Sequence, residues 1–409
     1  MSEPEEPGVE IPEGEVPSVA SRLALYQRAG GIVAPLLTAF LAFFVGGLVV
    51  LVTVHKNPLV IYKAIFNGTG LNWLFPWVHG AERVQAALDL QQTLILTIPL
   101  ALCALAVAFA FRCGLFNIGG QGQYIVGSLV AVQMGIWFAN LTAPLHIALA
   151  IGAAALGGAV WGGIAGVLRA TVGAHEVITT IMLNWIALWV GSYLVGFGGP
   201  LQNKTGPGGG IEAVTPEIAP SAKLHVFWGN PLLQGLHIGL FIALGALVVY
   251  WIILNRTTLG YRVRAVGFNA EGARYGGIGV GRSYFLAMAI AGGFAGIAGA
   301  VDLLGWEHKL DLTEVQGAQL PFIGIAVALL GRNTAVGIFF SSLLFGSLLN
   351  GTSERSAALS AAIDPQLAGN LTRIIQGLVV LFVGADVLIL YLWQARRKLR
   401  RRRTTGARE

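Results

Sequence analysis

The chain has 409 residues, of which 55% are hydrophobic and 11% are charged, and it carries a formal net charge of +6 at pH 7. Soluble domains usually contain about 25% charged residues, so this composition excludes an ordinary soluble protein and indicates a polytopic membrane protein. The positive charge does not indicate nucleic-acid binding, because much of it lies in a C-terminal cluster at 396–403. Such a cluster is typical of an anchor on anionic lipid. The only two cysteines lie in or next to apolar stretches, which excludes a disulfide framework.

Residues 1–28 are predicted to form a disordered cytoplasmic tail. Six of the first fifteen residues are glutamates, and prolines lie among them. A segment of this composition cannot bury enough apolar surface to fold. The first apolar stretch comes late and follows an acidic flank, unlike the core of a signal peptide, so we expect it to stay attached as a membrane span.

About ten stretches are long enough to cross a hydrocarbon core of ~30 Å as helices. We therefore predict an all-α fold, a transmembrane helical bundle over 29–395, followed by a basic cytoplasmic tail at 396–409. The predicted spans cover 30–54, 90–111, two segments of 113–168 divided at Pro144, 177–197, 236–254, 284–301, 315–331, 334–349 and 374–393.

Ten spans place both termini on the same side of the membrane. If both are cytoplasmic, the basic residues Arg112, Arg169 and Arg332 also lie in the cytoplasm, as the positive-inside rule requires. Two halves of five spans would have opposite orientations, which is the condition for an inverted repeat. The two halves are too dissimilar in sequence to assert that repeat.

Small residues spaced four apart mark two of the spans. Gly158 and Gly162 share a face of one predicted helix, and Gly292 and Gly296 share a face of another. Small residues at this spacing let helices approach closely in lipid. We predict packing contacts at both stripes.

Three amide side chains, Asn117, Gln121 and Gln123, lie in the glycine-rich segment 114–124 between the second and third spans. The glycines weaken a helix, and irregular polar backbone at membrane depth is tolerated only where it is buried in protein or lines a cavity. Interrupted segments often mark transporter sites. The segment is therefore either part of a substrate pathway or a cytoplasmic turn at which the third span begins.

Two further polar residues lie in the fifth span. Glu176 begins the predicted helix, where an acid offsets the helix macrodipole, so a structural role is expected. Asn184 lies two turns deeper. It either bonds a neighbouring helix or faces the pathway.

The stretch 255–283 is a hydrophilic island between two apolar spans. It carries five arginines, each of which would cost roughly 2.5 to 3.5 kcal/mol at the centre of a bilayer, so we place it in water on the cytoplasmic side. Within the island, Asn269 is predicted to cap a short helix over 270–275, with Glu271 in its first turn and Gly276 as a left-handed terminator. A helix this short is marginal alone, so we expect it to dock against another protein.

The eighth predicted span, 315–331, is barely long enough to cross the membrane. Pro321 within it is expected in a broken helix, and the aromatic residue Phe322 lies beside the proline. Two acids, Asp302 and Asp386, lie within or beside spans. Because no proton-relay partner is visible, we expect structural pairing of these acids.

The sequence lacks the motifs of several catalytic classes. No Gly-Lys dipeptide occurs, so there is no Walker A loop to hold ATP phosphates, and no zinc-binding spacing or nucleophile triad is present. We therefore predict no catalytic residues, no metal site, no cofactor and no enzymatic activity of this chain. ATP hydrolysis would have to come from a separate subunit.

Several of these stretches resemble one family. The island sequence Leu259–Ile278 resembles the coupling loop of permease subunits in ABC importers for branched-chain amino acids, simple sugars and nucleosides. The segment 114–124 resembles the Asn-Ile-Gly-x-x-Gly-Gln motif of that family, with Gln121 where many members carry an acid. The segment 174–187 is similar to a run typical of nucleoside permeases, with His175 in place of an asparagine, and 323–333 is a further match.

The resemblance implies a membrane-spanning permease subunit of an ATP-driven importer that forms the translocation pathway for nucleosides. The implied pathway residues are Asn117, Gln121, Gln123, Asn184 and Phe322. The implied ATPase-coupling residues are Arg262, Arg264, Asn269, Glu271, Gly272 and Arg274. The implied partners are ABC ATPase subunits, a second permease subunit in a homo- or heterodimer and an extracytoplasmic substrate-binding protein, and the implied location is the bacterial cell (inner/plasma) membrane.

Two alternatives remain open at this point. A ribose-type simple-sugar importer fits the resemblance almost as well, because ribose is common to both ligand classes. A transporter of a different class, an ion-coupled secondary transporter, would work without ATPase subunits. Such a protein would normally carry ionisable residues at mid-membrane, and this chain has few.

Overall fold

The computed structural model describes residues 39–53, 55–205, 210–230, 235–353 and a few positions between 359 and 381. Within this part of the chain the protein is mainly helical, which confirms the predicted all-α polytopic bundle. The two predicted tails, Asp386 and most of the tenth predicted span lie outside the described residues.

Thirteen helices follow one another along the described residues. They are α1 (Ala39–Thr53), α2 (Pro58–Gly68), α3 (Gly80–Arg112), α4 (Gly120–Trp137), α5 (Ala143–Val172), α6 (Glu176–Val195), α7 (Gly239–Arg256), α8 (Thr258–Phe268), α9 (Ala270–Tyr275), α10 (Val280–Asp302), α11 (Leu312–Gly317), α12 (Leu320–Leu330) and α13 (Ala335–Gly351). Single helical turns occur at Leu71–Leu74 and Pro220–Ala222, and a π-helical turn, Leu303–Glu307, extends α10. Two short antiparallel strands, β1 (Val226–Trp228) and β2 (Leu236–His237), lie in the long connection between α6 and α7.

Six helical segments of the described chain are long and apolar enough to cross a membrane by length and composition. They are α3, α5, α6, α7, α10 with its π-helical turn, and the segment Leu312–Leu330 that contains α11 and α12. The pair α1 and α2, bent by 118° at its break, would be a seventh. Two other predicted spans coincide with α4, whose glutamines lower its apolar character, and with the 17-residue α13.

Helix α3 forms the centre of the bundle. Every residue from Ile98 to Ala110 is buried, and α10, α12 and α13 pack around the helix. A helix that is apolar on all sides is expected to be enclosed by others. The helix begins ten residues before the predicted start of the second span and has 33 residues. At 1.5 Å per residue it is longer than the hydrocarbon core requires.

The predicted small-residue stripes meet each other. A Cβ atom on Gly158 of α5 would lie 2.2 Å from the carbonyl oxygen of Gly292 in α10, and a Cβ on Gly292 would lie 2.1 Å from that of Gly158. A Cβ atom on Gly296 would likewise lie 2.3 Å from the carbonyl oxygen of Ala154. The backbones of α5 and α10 are therefore in direct contact, which confirms the packing prediction.

Two interruptions of helix lie near each other inside the bundle. Residues 113–119 form an irregular loop between α3 and α4, and residues 318–319 separate α11 from α12. The second break confirms the predicted broken helix, with Pro321 in the first turn of α12, where a missing N–H costs no helical hydrogen bond. A Cβ on Gly120 would touch Cβ of Pro321 at 3.4 Å, so α4 and α12 start side by side.

Candidate translocation and coupling sites

The loop between α3 and α4 is held by a reciprocal pair of buried amides. Asn117 Nδ2 donates to Gln123 Oε1 at 2.9 Å, and Gln123 Nε2 donates to Asn117 Oδ1 at 3.1 Å. Oδ1 of Asn117 also accepts the backbone N–H of Gly119 at 3.1 Å. Both side chains are almost completely buried. The pair thus closes the irregular segment onto the first turn of α4.

Asn184 reaches this segment from α6. Its Oδ1 accepts the backbone N–H of Gly122 at 2.8 Å, and its Nδ2 donates to the carbonyl oxygen of Ile118 at 3.0 Å. The N–H of Gly122 belongs to the first turn of α4, where helical partners are missing, so the side chain acts as a cap supplied by another helix. Of the two roles left open, bonding to a neighbouring element is seen, and exposure to a pathway stays a prediction.

Gln121 and Phe322 lie on the open side of the same region. Gln121 is half-buried at the start of α4, and Phe322 is 42% exposed at the start of α12. The structure therefore divides the predicted pathway residues into two groups. Asn117, Gln123 and Asn184 form a buried cluster, which we name the amide centre, and Gln121 and Phe322 flank it at the surface.

Two further groups near the amide centre were not predicted. The indole N–H of Trp161 is buried without an acceptor among the described residues, and a Cβ on Gly122 would lie 2.9 Å from it. The hydroxyl of Tyr124 donates to Oδ2 of Asp302, which gives this acid the structural partner that was expected. Tyr124 and Asp302 are distant in sequence, so the identity of the partner leaves no local pattern in the chain.

Glu176 begins α6, as predicted for an acid at a helix start. One of its oxygens lies 3.5 Å from Nε of Arg169 at the end of α5. The Arg169 guanidinium also lies 5.8 Å from the ring centroid of Tyr284 on α10. These contacts tie three helices together at the basic end of the bundle, which fits the structural role predicted for Glu176.

The island contains two helices, of which one was predicted. Oδ1 of Asn269 accepts the backbone N–H of Gly272 at 2.9 Å and caps α9 as expected. The predicted left-handed terminator is wrong by one residue: Gly276 has φ −77°, and Gly277, with φ +77°, takes the left-handed conformation. Helix α8 was missed because Gly260 and Gly267 lower its helix propensity.

Most predicted coupling residues are exposed. Arg262, Asn269, Glu271, Gly272 and Arg274 face the surface, and Arg264 is half-buried. Arg262 and Arg282 line a cleft of about 480 Å³ between α8 and α10. No carboxylate of the described residues lies within 4 Å of either guanidinium.

Two aromatic residues of the island are almost fully exposed. Phe268, the last residue of α8, is 93% exposed, and Tyr275, the last residue of α9, is 94% exposed. Large aromatic side chains at this exposure are candidates for contact with another protein. Sequence reasoning emphasised the charges of this stretch and missed both rings.

The island abuts the loop that carries Asn117. A Cβ on Gly267 would lie 2.3 Å from the carbonyl oxygen of Arg112, and a Cβ on Gly114 would lie 3.4 Å from Cα of Gly267. Only glycine fits at position 267 without displacing the end of α3. The end of α8 and the start of the irregular loop thus form one packed unit, three residues from the amide centre.

A helical membrane bundle with interrupted helices at a buried polar centre and an exposed helix pair at its basic end is built as a membrane transport protein. The chain belongs to the family described as branched-chain amino acid transport system / permease component, whose model matches residues 90–384.

Three curated relatives match over most of their length. The guanosine ABC transporter permease protein NupP of Bacillus subtilis (strain 168) is 36% identical over 377 residues, 90% of this chain and 97% of the relative. The nucleoside ABC transporter permease protein NupB of Lactococcus lactis subsp. cremoris (strain MG1363) is 31% identical over 360 residues, 88% and 92% of the two chains. The glucose ABC transporter permease protein TsgB13 of Haloferax volcanii is 33% identical over 356 residues, 85% and 86%. No solved structure matches the chain significantly.

Proposed function

We propose that this chain is the membrane-spanning permease subunit of an ATP-driven importer for nucleosides, a transport component rather than an enzyme. The observation that carries the proposal is the 36% identity to a guanosine permease across 97% of that relative. The glucose permease is 33% identical over 86% of its own length, so a sugar importer is the second candidate and is less favoured. Family membership speaks against an ion-coupled secondary transporter.

The substrate pathway is proposed to pass the junction of α4 and α12. Both helices begin there, so their positive dipole ends face the same region. Gln121 supplies an amide that can pair with the edge of a base, and Phe322 supplies a ring on which a base can stack, at about 1 to 3 kcal/mol per stacked base in nucleic-acid complexes. The amide centre holds the start of α4 in place and would line the pathway when α4 and α12 separate.

The island, residues 255–283, is proposed to couple the chain to an ABC ATPase subunit that binds the ATP. Helix α9 has only six residues and leaves Tyr275 and the preceding Phe268 exposed, which suits contact with a partner groove. Arg262 lies at a cleft where it can meet a carboxylate of the partner. Exposed ion pairs are usually worth under about 1 kcal/mol, so we expect the two rings to contribute more than the arginines.

A second permease subunit is proposed to cover the exposed stripe of α6. Met182, Trp185, Trp189 and Tyr193 recur on one face of this helix and are all more than half exposed. Aromatic residues and methionine are enriched in protein interfaces. An extracytoplasmic binding protein would deliver the nucleoside at the opposite end from the island.

The proposed location is the bacterial cell membrane, with residues 29–395 in the membrane domain and both tails, 1–28 and 396–409, in the cytoplasm. The basic residues at the ends of α3, α5 and α7 lie at the same end of the bundle as the island. The positive-inside rule places this end in the cytoplasm.

Competition for uptake separates the two substrate classes. The chain is expressed with its partner permease, ATPase and binding protein in a bacterial strain without nucleoside uptake, and entry of radiolabelled guanosine is measured. We expect excess unlabelled nucleosides to suppress entry and excess ribose or glucose to leave it unchanged. Uptake of labelled sugar without uptake of guanosine would overturn the substrate assignment.

A further inference from the structure

A groove on the outside of the bundle has an apolar part and a basic pocket that continues it. The apolar part has a volume of about 470 Å³ and lies between α7 and α13. Its lining contains no charged side chain: Leu244, Leu247, Val248, Trp251, Ala335, Val336 and Phe339. Val248, Trp251 and Val336 are each more than 40% exposed, so the groove opens outward from the helix bundle.

The basic pocket continues the groove toward the island. It has a volume of about 300 Å³, and it shares Trp251, Ala335 and Val336 with the apolar part. Arg112 at the end of α3 and Arg264 on α8 line its far side. An elongated site therefore begins among aliphatic and aromatic side chains and ends at two guanidinium groups.

Both arginines keep donors for a ligand. Nε and Nη2 of Arg112 donate to the carbonyl oxygen of Asn333 at 3.2 and 2.7 Å, and the hydroxyl of Tyr250 donates to the same oxygen at 2.7 Å. This anchors one edge of the guanidinium and leaves Nη1 available. Arg264 makes one long bond from Nε to the carbonyl oxygen of Gly260 at 3.4 Å. No carboxylate of the described residues lies within 4 Å of either arginine.

We propose that this groove binds one anionic phospholipid, with an acyl chain between α7 and α13 and the phosphate at Arg112 and Arg264. An acyl chain matches the apolar wall, and a phosphate matches the uncompensated guanidinium groups by charge and by hydrogen-bond geometry. Basic pockets between membrane helices at the cytoplasmic side are suited to anionic headgroups. The start of α13 lies on the pocket wall and adds its positive dipole end to the attraction.

The proposed lipid site lies where the island meets α3 and α13, so a bound lipid would connect these elements. Arg112 ends α3, and its carbonyl oxygen contacts position 267 at the end of α8. Arg264 lies one turn earlier on α8. A phosphate bound to both arginines would join the island to α3 and to the start of α13, so lipid composition would affect how firmly the island is held.

Native mass spectrometry of the full-length chain in detergent tests the proposal. The protein is mixed with equal amounts of dioleoyl phosphatidylglycerol and dioleoyl phosphatidylcholine, and retained lipid is counted. We expect one phosphatidylglycerol to be retained in preference to phosphatidylcholine. Arg264→Gln should lower phosphatidylglycerol retention about fivefold, the effect of roughly 1 kcal/mol per arginine near a lipid surface. Arg262→Gln, two residues away on another cleft, should leave retention unchanged.

A second pair of variants tests the apolar part separately. Val248→Trp should fill the groove and displace the lipid, whereas Val249→Trp, on an exposed position outside the groove, should not. Inorganic phosphate at equal concentration should not compete with phosphatidylglycerol. Equal effects of the two arginine variants, or displacement by phosphate alone, would overturn the lipid site. Unchanged retention in Val248→Trp would also overturn it.

Discussion

Asn184 of α6 makes two hydrogen bonds to the backbone around the start of α4. It satisfies the N–H of Gly122 and the carbonyl oxygen of Ile118, both in a segment without regular helix partners. A buried polar group without a partner destabilises the folded protein by more than the net stabilisation of one hydrogen bond, because the group has also lost its contact with water. The family motif containing Asn184 and the motif containing Asn117 are therefore two halves of one contact.

Replacing Asn184 by leucine should destabilise the protein. The change keeps the side-chain volume and leaves two buried backbone groups unpaired, at about 1 to 3 kcal/mol for each. We expect a clearly lower thermal unfolding temperature of the purified protein in detergent. Trp185→Leu, at the next and exposed position, should have little effect. Equal unfolding temperatures of Asn184→Leu and the wild type would contradict this role.

Cysteine labelling tests which residues face the pathway. Gln121→Cys and Phe322→Cys should react with a water-soluble thiol reagent, because both positions are open, and guanosine should slow the reaction. Asn184→Cys should react slowly at rest, since Asn184 is 5% exposed, and faster while the complex turns over ATP. The native Cys103 and Cys113 are buried and give little background. If guanosine did not change the labelling rate, Gln121 and Phe322 would not line the pathway.

At the level of elements, features set by adjacent residues and the packing at the two glycine stripes were predicted well, whereas the polar contacts between elements were not. Helix α9 and its Asn269 cap were predicted, because the cap and the first turn are adjacent in sequence. Helix α8 was missed, since its stability comes from Val263 and Val266 packing in the core and not from propensity. No local pattern predicted the reciprocal bonds of Asn117 and Gln123 or the cap that Asn184 supplies to α4, because the fold determines these contacts.

The α5–α10 contact gives a prediction about stability. Gly158→Ala places a methyl group 2.2 Å from a backbone oxygen, so the helices must separate, at about 1 to 3 kcal/mol for overpacking. Gly152→Ala on the same helix has nothing within 4 Å and should be neutral or slightly stabilising. Thermal unfolding of both variants in detergent checks this. If Gly158→Ala unfolded at the temperature of Gly152→Ala, the close approach would be wrong.

The island gives a prediction about coupling. Gly272 is exposed, and a Cβ atom on it would lie 3.4 Å from its nearest neighbour, Cγ of Asn269, so Gly272→Trp should leave the chain folded. The indole would occupy the surface that we propose meets the ATPase, so pull-down of the ATPase and transport should both be lost. Gly245→Trp, an equally bulky change at an open position of α7, should preserve both. Intact pull-down and transport in Gly272→Trp would make the island an ordinary loop.

For the whole molecule, the most important feature is that the island and the amide centre belong to one packed unit. The island contacts the end of α3, and the loop that follows α3 enters the amide centre at the starts of α4 and α12. Movement of the island by a partner would therefore be passed directly to the proposed pathway. The sequence indicated the island and the amide centre through separate motifs. That the two lie close together depends on the packing of Gly114 against Gly267, which no local pattern predicts.

Transport by purified components tests the central claim most directly. The chain is reconstituted into lipid vesicles with its ATPase, its partner permease and its binding protein, and accumulation of radiolabelled guanosine is followed. We predict accumulation that requires ATP, the ATPase and the binding protein, and that persists when ion gradients are collapsed. Guanosine accumulation driven by an ion gradient without the ATPase, or ATP-driven accumulation of a sugar in place of guanosine, would contradict the account.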